Sequence, residues 1–222
     1  MNKITLITKD NIKIVGDFYS ADSDNAPAVI LLHMMPATKE SWRDFASILV
    51  ERGFQVLAID ERGHGESMEN GTLNFREFSS EQQQAKMLDV MAAREFFIEK
   101  GVSVSDIFVG GASIGANLSI QYLAENSECR AVFALSPGYN YYGIQTVPLM
   151  ESTGTEQNVF LVASKDDPNV PDSYKTVEEL EKTGKAAKTV KIFDTGGHGT
   201  DIFKEHPEFM RELVDWLKWF IR

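Results

Sequence analysis

The chain has 222 residues, of which 43% are hydrophobic and 25% are charged, a composition typical of an ordinary globular protein rather than a disordered or fibrous one. Its 33 acidic residues outnumber its 22 basic residues and give a net charge of −11, which disfavours nucleic acids and anionic membrane surfaces as partners. No apolar run is long enough for a transmembrane helix. The length suits one α/β domain, so we expect a single domain over residues 1–222 without a separate cap domain.

The number of cysteines and the N-terminal residues indicate which cellular compartment to expect. The chain has one cysteine, Cys129, so it can form neither an intrachain disulfide nor a thiolate metal cluster. The N-terminal residues lack the apolar segment of a secretory signal. We therefore expect a cytoplasmic protein, because a reducing compartment requires no disulfides. Nothing in the sequence points to a particular oligomeric state.

The first elements along the chain are predicted strands. Residues 3–8 and 12–19 alternate apolar and polar side chains, which predicts an antiparallel hairpin with one solvated face. From residue 28 onward, continuous apolar runs alternate with amphipathic segments. The runs predict buried strands over residues 28–33, 55–60, 107–112, 130–136, 158–163 and 187–194. The amphipathic segments predict helices over residues 39–52, 80–100, 113–126, 172–182 and 208–221.

This alternation of strands and helices predicts the fold class. We expect an α/β fold with a mostly parallel twisted sheet, helices on both faces and the antiparallel hairpin at its N-terminal end. Thr38 is placed to cap the helix over 39–52, and Ser79 with Gln82 forms a capping-box pattern before the helix over 80–100. Residues 137–157 carry no regular pattern.

A five-residue motif lies where the strand over 107–112 meets the helix over 113–126. Residues 111–115 read Gly-Ala-Ser-Ile-Gly and match G-x-S-x-G, in which a serine sits on a sharp turn between a strand and a helix. The turn exposes the Ser113 hydroxyl, and the flanking glycines leave room where the strand and the helix nearly touch. Backbone amides at the helix start add positive potential beside that hydroxyl. The motif therefore predicts a nucleophilic serine.

With this motif in its strand–helix setting, the chain resembles the α/β-hydrolase superfamily, and within it the small lidless serine esterases and dienelactone hydrolases. The chain order of catalytic residues in that family is serine, acid, histidine. Here an acidic segment, 164–171, and then the segment 196–199, Gly-Gly-His-Gly, each follow a predicted strand. Both lie where open α/β sheets place their sites. The resemblance implies a catalytic triad of Ser113, His198 and an aspartate.

Two neighbouring aspartates compete for the role of the acid. Asp166 and Asp167 follow the same strand, and only one of them can point at His198. Related hydrolases commonly read G-x-x-D-x-x-V-P in this segment, and counting back from Val170 and Pro171 selects Asp167. We expect Asp167 to orient His198, and Asp166 to be a solvated turn residue.

The resemblance also implies an oxyanion hole built from two backbone amides. One donor is expected from Ile114, the residue after the nucleophile. The other is expected from Met35, in the loop after the strand over 28–33, where many family members read H-G-x-G. This chain has Met34 and Pro36 in place of the two glycines, and proline has no N–H to donate. We expect the Met34 side chain to line the substrate pocket as adaptable apolar surface.

Other histidines and a group of tyrosines fit different roles. His33 ends a buried strand and is expected to be structural. His64 lies in residues 60–67, which resemble the family's D-x-R-G-H-G-x-S loop, where these residues shape the loop rather than react. The stretch 137–157 holds tyrosines at positions 139, 141 and 142. These are expected either to contact an aromatic substrate or to cover the edge of the sheet.

Together these features predict a serine hydrolase that cleaves a carboxylic ester or thioester through an acyl-enzyme. The expected partner is a small-molecule ester, with no nucleic acid or membrane involved. We expect neither a cofactor nor a metal. Two alternatives stay open: an acyltransferase or other non-hydrolytic enzyme on the same fold, and a non-catalytic binding protein on the same scaffold.

Overall fold

The computed structural model describes residues 1–23 and 25–221. Within these residues it contains ten strands and eight α-helices. The strands are β1 (Asn2–Ile7), β2 (Lys13–Tyr19), β3 (Ala28–Leu32), β4 (Gln55–Asp60), β5 (Ile107–Ala112), β6 (Ala131–Leu135), β7 (Asn140–Tyr141), β8 (Ile144–Gln145), β9 (Asn158–Ser164) and β10 (Ala187–Phe193). The helices are α1 (Arg43–Glu51), α2 (Ser80–Gln84), α3 (Met87–Glu99), α4 (Ile114–Glu125), α5 (Thr146–Glu151), α6 (Ser173–Leu180), α7 (Ile202–Glu205) and α8 (Pro207–Lys218).

Eight of the strands form one sheet in the order β1-β2-β4-β3-β5-β6-β9-β10. The pairs β1–β2 and β2–β4 are antiparallel, and the remaining neighbours in this sheet are parallel. Every residue of β3 and β4 is buried, as expected for parallel strands covered on both faces. The separate pair β7–β8 is a small antiparallel hairpin.

Helices cover both faces of the sheet and create two cores. On one face, Phe97 of α3 and Leu118 of α4 join a cluster that contains Ile30 of β3. On the other, Phe45 of α1 joins a cluster that contains Val29 of the same strand. Neighbouring residues of one strand thus point into opposite cores, because successive side chains of a strand alternate between the two faces of the sheet. The predicted fold class, a mostly parallel α/β sheet with an N-terminal antiparallel hairpin, is confirmed.

The start of the first helix differs from the prediction. A 3₁₀ turn, Lys39–Trp42, precedes α1. The Thr38 hydroxyl bonds to the Glu40 carboxylate and caps no amide, so the predicted N-cap is wrong. The physical reason is that nearby amides already have partners. The amide of Lys39 donates to Asp60 Oδ1 at 2.9 Å, and that of Ser41 donates to the Thr38 carbonyl at 3.0 Å.

The predicted helix over residues 80–100 is interrupted. The capping box of Ser79 and Gln82 is present as predicted, but the helix is divided into α2 and α3. The division falls at Lys86, whose buried ammonium lies 3.0 Å from Glu61 Oε2. Ordered elements also occupy the stretch over 137–157, which contains β7, β8 and α5.

Candidate active site

Ser113 lies in the tight turn between β5 and α4. Its backbone has φ 56° and ψ −119°, a positive φ that a residue with a side chain adopts only when the surrounding structure enforces it. A Cβ on Gly111 would lie 2.0 Å from the carbonyl oxygen of Gly115, and a Cβ on Gly115 would lie 2.6 Å from that of Leu32. Only glycine fits at either position, so the two glycines allow α4 to start directly against the sheet. The Ser113 side chain is left at the carboxyl end of β5, with the residue 7% exposed.

His198 and Asp167 form a buried pair. His198 Nδ1 donates to Asp167 Oδ2 at 2.6 Å, and this bond leaves the other ring nitrogen, Nε2, free to accept a proton. The second carboxylate oxygen of Asp167 accepts from the amides of Val170 at 2.8 Å and Asn169 at 2.9 Å. Burial by itself would raise the pKa of Asp167, but the hydrogen bonds from His198 and from these two amides hold it below its ordinary value. Asp167 is therefore a fixed anion beside the imidazole.

Asp166 points elsewhere. It is exposed, and its carboxylate accepts from the amide of Gly197 at 3.0 Å. That hydrogen bond lowers the pKa of Asp166. The structure thus brings Asp167, and not Asp166, to the histidine. Asp166 is not simply a solvated turn residue, because it ties the histidine loop, residues 196–199, to the loop that follows β9.

Further contacts hold the histidine loop against the serine turn. The amide of Gly199 donates to Ser136 Oγ at 2.9 Å, and Ser164 Oγ bonds to the carbonyl of Gly197. A Cβ on Gly199 would lie 3.1 Å from the Cβ of Ala112, the residue before Ser113. Residues next to the histidine and next to the serine are therefore in contact. Among the described residues, Ser113 Oγ and His198 Nε2 share no hydrogen bond.

The two predicted amide donors lie on different elements. The amide of Ile114 starts α4, and the amide of Met35 lies in the loop after β3; neither donates to another described residue. His33 orients this loop. Its Nε2 accepts from the amide of Glu61 at 3.1 Å, so its Nδ1 carries the proton and donates to the Met34 carbonyl at 3.0 Å. The carbonyl of Met34 thus faces His33, and the N–H of Met35, on the other side of the same planar peptide, faces away from it.

The Met34 side chain lies against the histidine loop. Its sulfur would be 2.7 Å from a Cβ on Gly199, so a side chain at that position would have to displace the methionine. Met34 is half-buried and packs beside the core under α1 and α8, whereas Met35 packs beside the core under α3 and α4. The two methionines thus flank the loop on opposite sides.

Residues 60–67 form a loop built from buried charges. Asp60 accepts from Lys39 Nζ at 2.9 Å, from the amide of Lys39 at 2.9 Å and from the amide of Glu66 at 2.9 Å. Burial would lower the pKa of Lys39, but its bonds to Asp60 and Glu66 keep it above its ordinary value. This ion pair ties the loop to the segment that follows Met35 and Pro36.

Two more ion pairs complete this loop. Arg62 bonds to the fully buried Asp89 and to Asp10 at the turn of the N-terminal hairpin. Lys86 pairs with Glu61 and donates to His64 Nε2 at 3.1 Å. Burial, followed by the charge of Lys86, lowers the pKa of His64 far below its ordinary value, so the imidazole is neutral. The motif indicated a structural loop, but Lys39, Lys86 and Asp89 have no local pattern that marks them as its partners.

Other kinds of site receive no support in the described part of the chain. Residues 1–23 and 25–221 contain no group of three or more histidine, cysteine, aspartate or glutamate side chains that could hold a metal ion. No helix within these ranges combines the length and the apolar character needed to cross a bilayer. Cys129 is 1% exposed, and burial raises the pKa of its thiol to about 12.

Comparison with protein families gives one match. Residues 23–155 match the model of the family described as serine aminopeptidase, S33. A shorter match is to epoxide hydrolase B of Mycobacterium tuberculosis, which is 42% identical over 48 residues. Those residues make up 22% of this chain and only 14% of that protein, so the similarity is local.

Solved structures of similar fold cover nearly the whole chain. An esterase of Pyrococcus furiosus superposes with a TM-score of 0.76 at 20% identity, over 98% of this chain and 91% of its own. The α/β hydrolase GrgF from Penicillium has a TM-score of 0.80 at 16% identity, over 99% and 98%. Dienelactone hydrolase from Anabaena variabilis has a TM-score of 0.78 at 15% identity, over 100% and 98%. At these identities the likeness is one of fold.

Proposed function

Because the chain belongs to the serine aminopeptidase S33 family of the α/β-hydrolase superfamily, we propose that it is a serine hydrolase that cleaves a carboxylic ester or thioester. The main support is the 2.6 Å hydrogen bond from His198 to Asp167, formed next to a serine held at positive φ. A buried aspartate that fixes the tautomer of a histidine is the arrangement that activates a serine hydroxyl. Ser113, His198 and Asp167 are the proposed catalytic triad.

The proposed reaction proceeds in two halves. Ser113 Oγ attacks the carbonyl carbon while His198 Nε2 takes the hydroxyl proton, and Asp167 stabilises the imidazolium that forms. The amides of Ile114 and Met35 donate hydrogen bonds to the oxyanion. The bond from carbon to the leaving oxygen then breaks, and His198 returns its proton to that oxygen. Water gives a proton to His198 and attacks the acyl carbon. The bond from that carbon to Ser113 Oγ then breaks, and His198 returns the proton to Oγ, which releases the acid and free Ser113.

We propose small-molecule esters with short acyl groups as substrates in the cytoplasm. The stretch over 137–157 is occupied by the β7–β8 hairpin and the six-residue helix α5, which leaves little chain for a lid. Each methylene that a site encloses contributes about 0.8 kcal/mol, so a site without a lid gains little from a long chain. Met34 is the proposed apolar contact for the acyl group. A single buried cysteine suits a reducing compartment.

Covalent labelling tests the nucleophile. A fluorophosphonate probe should label the wild type and fail to label Ser113→Ala, which should also lose ester turnover by several orders of magnitude. The matched control is Ser119→Ala, in which the substituted serine is a buried residue of α4 whose hydroxyl donates to the Gly115 carbonyl at 2.8 Å. That variant should be labelled like the wild type. Equal labelling of Ser113→Ala would refute the proposal.

Substrate panels separate hydrolysis from the other reactions of this fold. Wild type and Ser113→Ala are compared on p-nitrophenyl esters of increasing acyl length with water as the acceptor. Turnover that needs an added alcohol or amine would indicate an acyltransferase, and no turnover with any acceptor would indicate a binding protein. An amino-acyl p-nitroanilide tests the peptidase activity that the family description names. A rise in kcat/KM through dodecanoyl esters would contradict the short-acyl proposal.

A further inference from the structure

Tyr141 carries a polar group that the proposed mechanism leaves unused. Its hydroxyl oxygen is buried and forms no hydrogen bond of good geometry with any described residue. It nevertheless lies beside the Ser113 side chain, close enough for the two hydroxyls to interact. Buried polar groups without a partner are uncommon in folded proteins and call for an explanation. A hydroxyl that faces the nucleophile without a hydrogen bond of good geometry can turn its proton toward an atom of a bound substrate.

The hairpin that carries Tyr141 is fixed to the helix that carries Ser113. The buried side chain of Asn117 on α4 donates to the carbonyls of Gly138 at 3.0 Å and Ile144 at 2.9 Å, and it accepts from the amide of Gly138 at 3.0 Å. These bonds hold the chain on both sides of Tyr141. A Cβ on Gly138 would lie 2.8 Å from the tyrosine ring, so the ring rests directly on the backbone there.

The turn of the hairpin gives a second restraint. Tyr142 and Gly143 are the two turn residues, with φ 52° and 93°, as in the type I′ turns that close two-residue hairpins. The amide of Gly143 donates to Asn140 Oδ1 at 2.7 Å, and Gln84 of α2 donates to the carbonyl of Tyr142 at 2.8 Å. The Tyr141 hydroxyl is therefore held in place before any substrate binds, which is the condition for effective stabilisation of a transition state.

The sheet order decides which side of Ser113 the hydroxyl occupies. Met35 follows β3 and Tyr141 follows β6, and these strands flank β5 on opposite sides. Tyr141 thus lies across the serine from the proposed oxyanion donor. It lies on the side of β9 and β10, whose loops carry Asp167 and His198. Burial, and also the charge of Asp167, raise the pKa of Tyr141, so its hydroxyl remains protonated and can donate at neutral pH.

We propose that the Tyr141 hydroxyl donates a hydrogen bond to the leaving oxygen of the ester, in a reaction that rests on the function proposed above. As the bond from carbon to this oxygen breaks, its electron pair stays on the oxygen, and His198 supplies the proton that neutralises it. Tyr141 keeps its own proton and stabilises the negative charge until that transfer is complete. The site is thereby suited to esters of ordinary alcohols, whose alkoxides are poor leaving groups.

Esters that differ only in the leaving group test this role. Ethyl butyrate releases a basic alkoxide, whereas p-nitrophenyl butyrate releases an anion that the ring already stabilises. Tyr141→Phe should lower kcat/KM for ethyl butyrate by about 10- to 100-fold, the range for loss of one charge-assisted hydrogen bond. For p-nitrophenyl butyrate the change should stay within about threefold. The thermal midpoint should not fall, because the hydroxyl has no hydrogen bond of good geometry to lose.

A matched control comes from the same segment. The Tyr139 hydroxyl bonds to Glu179 Oε2 at 3.0 Å, away from the serine, and Tyr139→Phe should leave both kcat/KM values unchanged. Equal losses on both esters in Tyr141→Phe would overturn the proposal and indicate a donor to the oxyanion or to Ser113. No loss on either ester would also overturn it. A fall in the thermal midpoint together with equal losses would identify Tyr141 as a structural residue.

Failure of this proposal is separable from failure of the proposed function. Fluorophosphonate labelling releases fluoride and needs no help from Tyr141, so Tyr141→Phe should be labelled at Ser113 like the wild type. If the wild type is labelled and hydrolyses esters but Tyr141→Phe shows no dependence on the leaving group, the role of Tyr141 alone is refuted. If the wild type is neither labelled nor active, the function itself is refuted.

Discussion

The loop over residues 60–67 and the loops around Ser113 lie at the same end of the sheet. They differ in whether their polar groups have partners within the protein. In the first loop every charged side chain, from Asp60 to Glu66, has at least one ion-pair partner. Around Ser113, the amides of Ile114 and Met35 have no partner among the described residues, and the hydroxyl of Tyr141 has only its contact with Ser113, without a hydrogen bond of good geometry. The first loop thus pairs its charges within the protein, although the buried Glu61 carboxylate has only its ion pair with Lys86 and no hydrogen bond to a described residue. Around Ser113, the two amides that we propose as oxyanion donors are unpaired in the described part of the chain.

The difference has an energetic meaning. Removing one member of a buried ion pair leaves a charge without compensation, which costs folding free energy. Removing a group that has no partner in the free protein costs little folding free energy, and the loss falls on the reaction instead. Substitutions in the loop over 60–67 should therefore change stability more than turnover, and substitutions around Ser113 should do the reverse.

The largest effect is expected where the proposed catalytic pair, His198 and Asp167, is changed. Asp167→Asn should lower kcat by about 10⁴-fold, because an amide cannot hold His198 in the tautomer that leaves Nε2 free. Asp166→Asn should cost about tenfold or less, because its carboxylate holds the amide of Gly197 and not the imidazole. Ester turnover of the two variants is compared directly. If Asp166→Asn is the more damaging, the assignment of the acid is reversed.

Breaking the buried pair in the other loop should mainly affect stability. Asp60→Asn should lower the free energy of unfolding by up to about 3–5 kcal/mol, since Lys39 loses its fully buried anion and keeps only the exposed carboxylates of Glu40 and Glu66. Glu66→Gln is the matched control. The Glu66 side chain also pairs with Lys39 but is 46% exposed, so the free energy of unfolding should fall by at most about 1 kcal/mol. Urea denaturation measures both variants. Similar losses would show that burial does not set the value of these pairs.

Ser136→Ala should change both stability and turnover. The substitution leaves the amide of Gly199 buried without an acceptor, so stability should fall by about 1–3 kcal/mol. Because Gly199 adjoins His198, kcat should fall as well, by about tenfold. Ser119→Ala should cost at most about 1 kcal/mol, because its hydroxyl only supplements a helix carbonyl. A stability loss in Ser136→Ala with unchanged kcat would show that the histidine loop does not depend on this bond.

The smallest expected effect is on the pH dependence of the free energy of unfolding, through the ion pair between Arg62 of the loop over 60–67 and Asp10. The hydrogen bond from Arg62 lowers the pKa of Asp10 from its ordinary value of 3.8 to about 2. The folded pKa is below the unfolded one, so the carboxylate contributes stability above pH 3.8 and loses it as pH falls toward 2. The free energy of unfolding should decline less steeply across this window in Asp10→Asn than in the wild type. Parallel curves would contradict the prediction.

The strands of the sheet could be predicted well because a strand buried on both faces is a continuous apolar run in the sequence. Runs such as Ala28–Leu32 and Gln55–Asp60 are largely apolar because each strand contacts two cores, and each boundary of the eight strands in the large sheet lies within two residues of the prediction. The short strands β7 and β8 were not predicted. Helix starts were predicted less well. The Thr38 cap and the division between α2 and α3 depend on Asp60 and Glu61, which are distant in sequence. A pattern read over a few residues does not contain such partners.

The candidate site was predictable where a residue is marked by its own neighbours. The glycines around Ser113 and His198, and the Val-Pro pair after Asp167, are local signals. Tyr141 has no such signal: three tyrosines stand close together, and only the hairpin turn and the Asn117 contacts distinguish the one beside Ser113. The roles of Ser136 and Asp166 in holding the histidine loop likewise arise from contacts across the sheet.

Because its one cysteine, Cys129, is buried, the protein should react very slowly with reagents that alkylate thiols. With its pKa raised to about 12 and 1% of its surface exposed, Cys129 offers almost no thiolate to an alkylating agent at neutral pH. Ser113→Cys would then introduce the only readily alkylated sulfur in the chain. The rate of its alkylation by iodoacetamide as a function of pH would titrate that single atom directly, and repeating the titration with His198→Ala would measure how strongly the imidazole ionises the group at position 113.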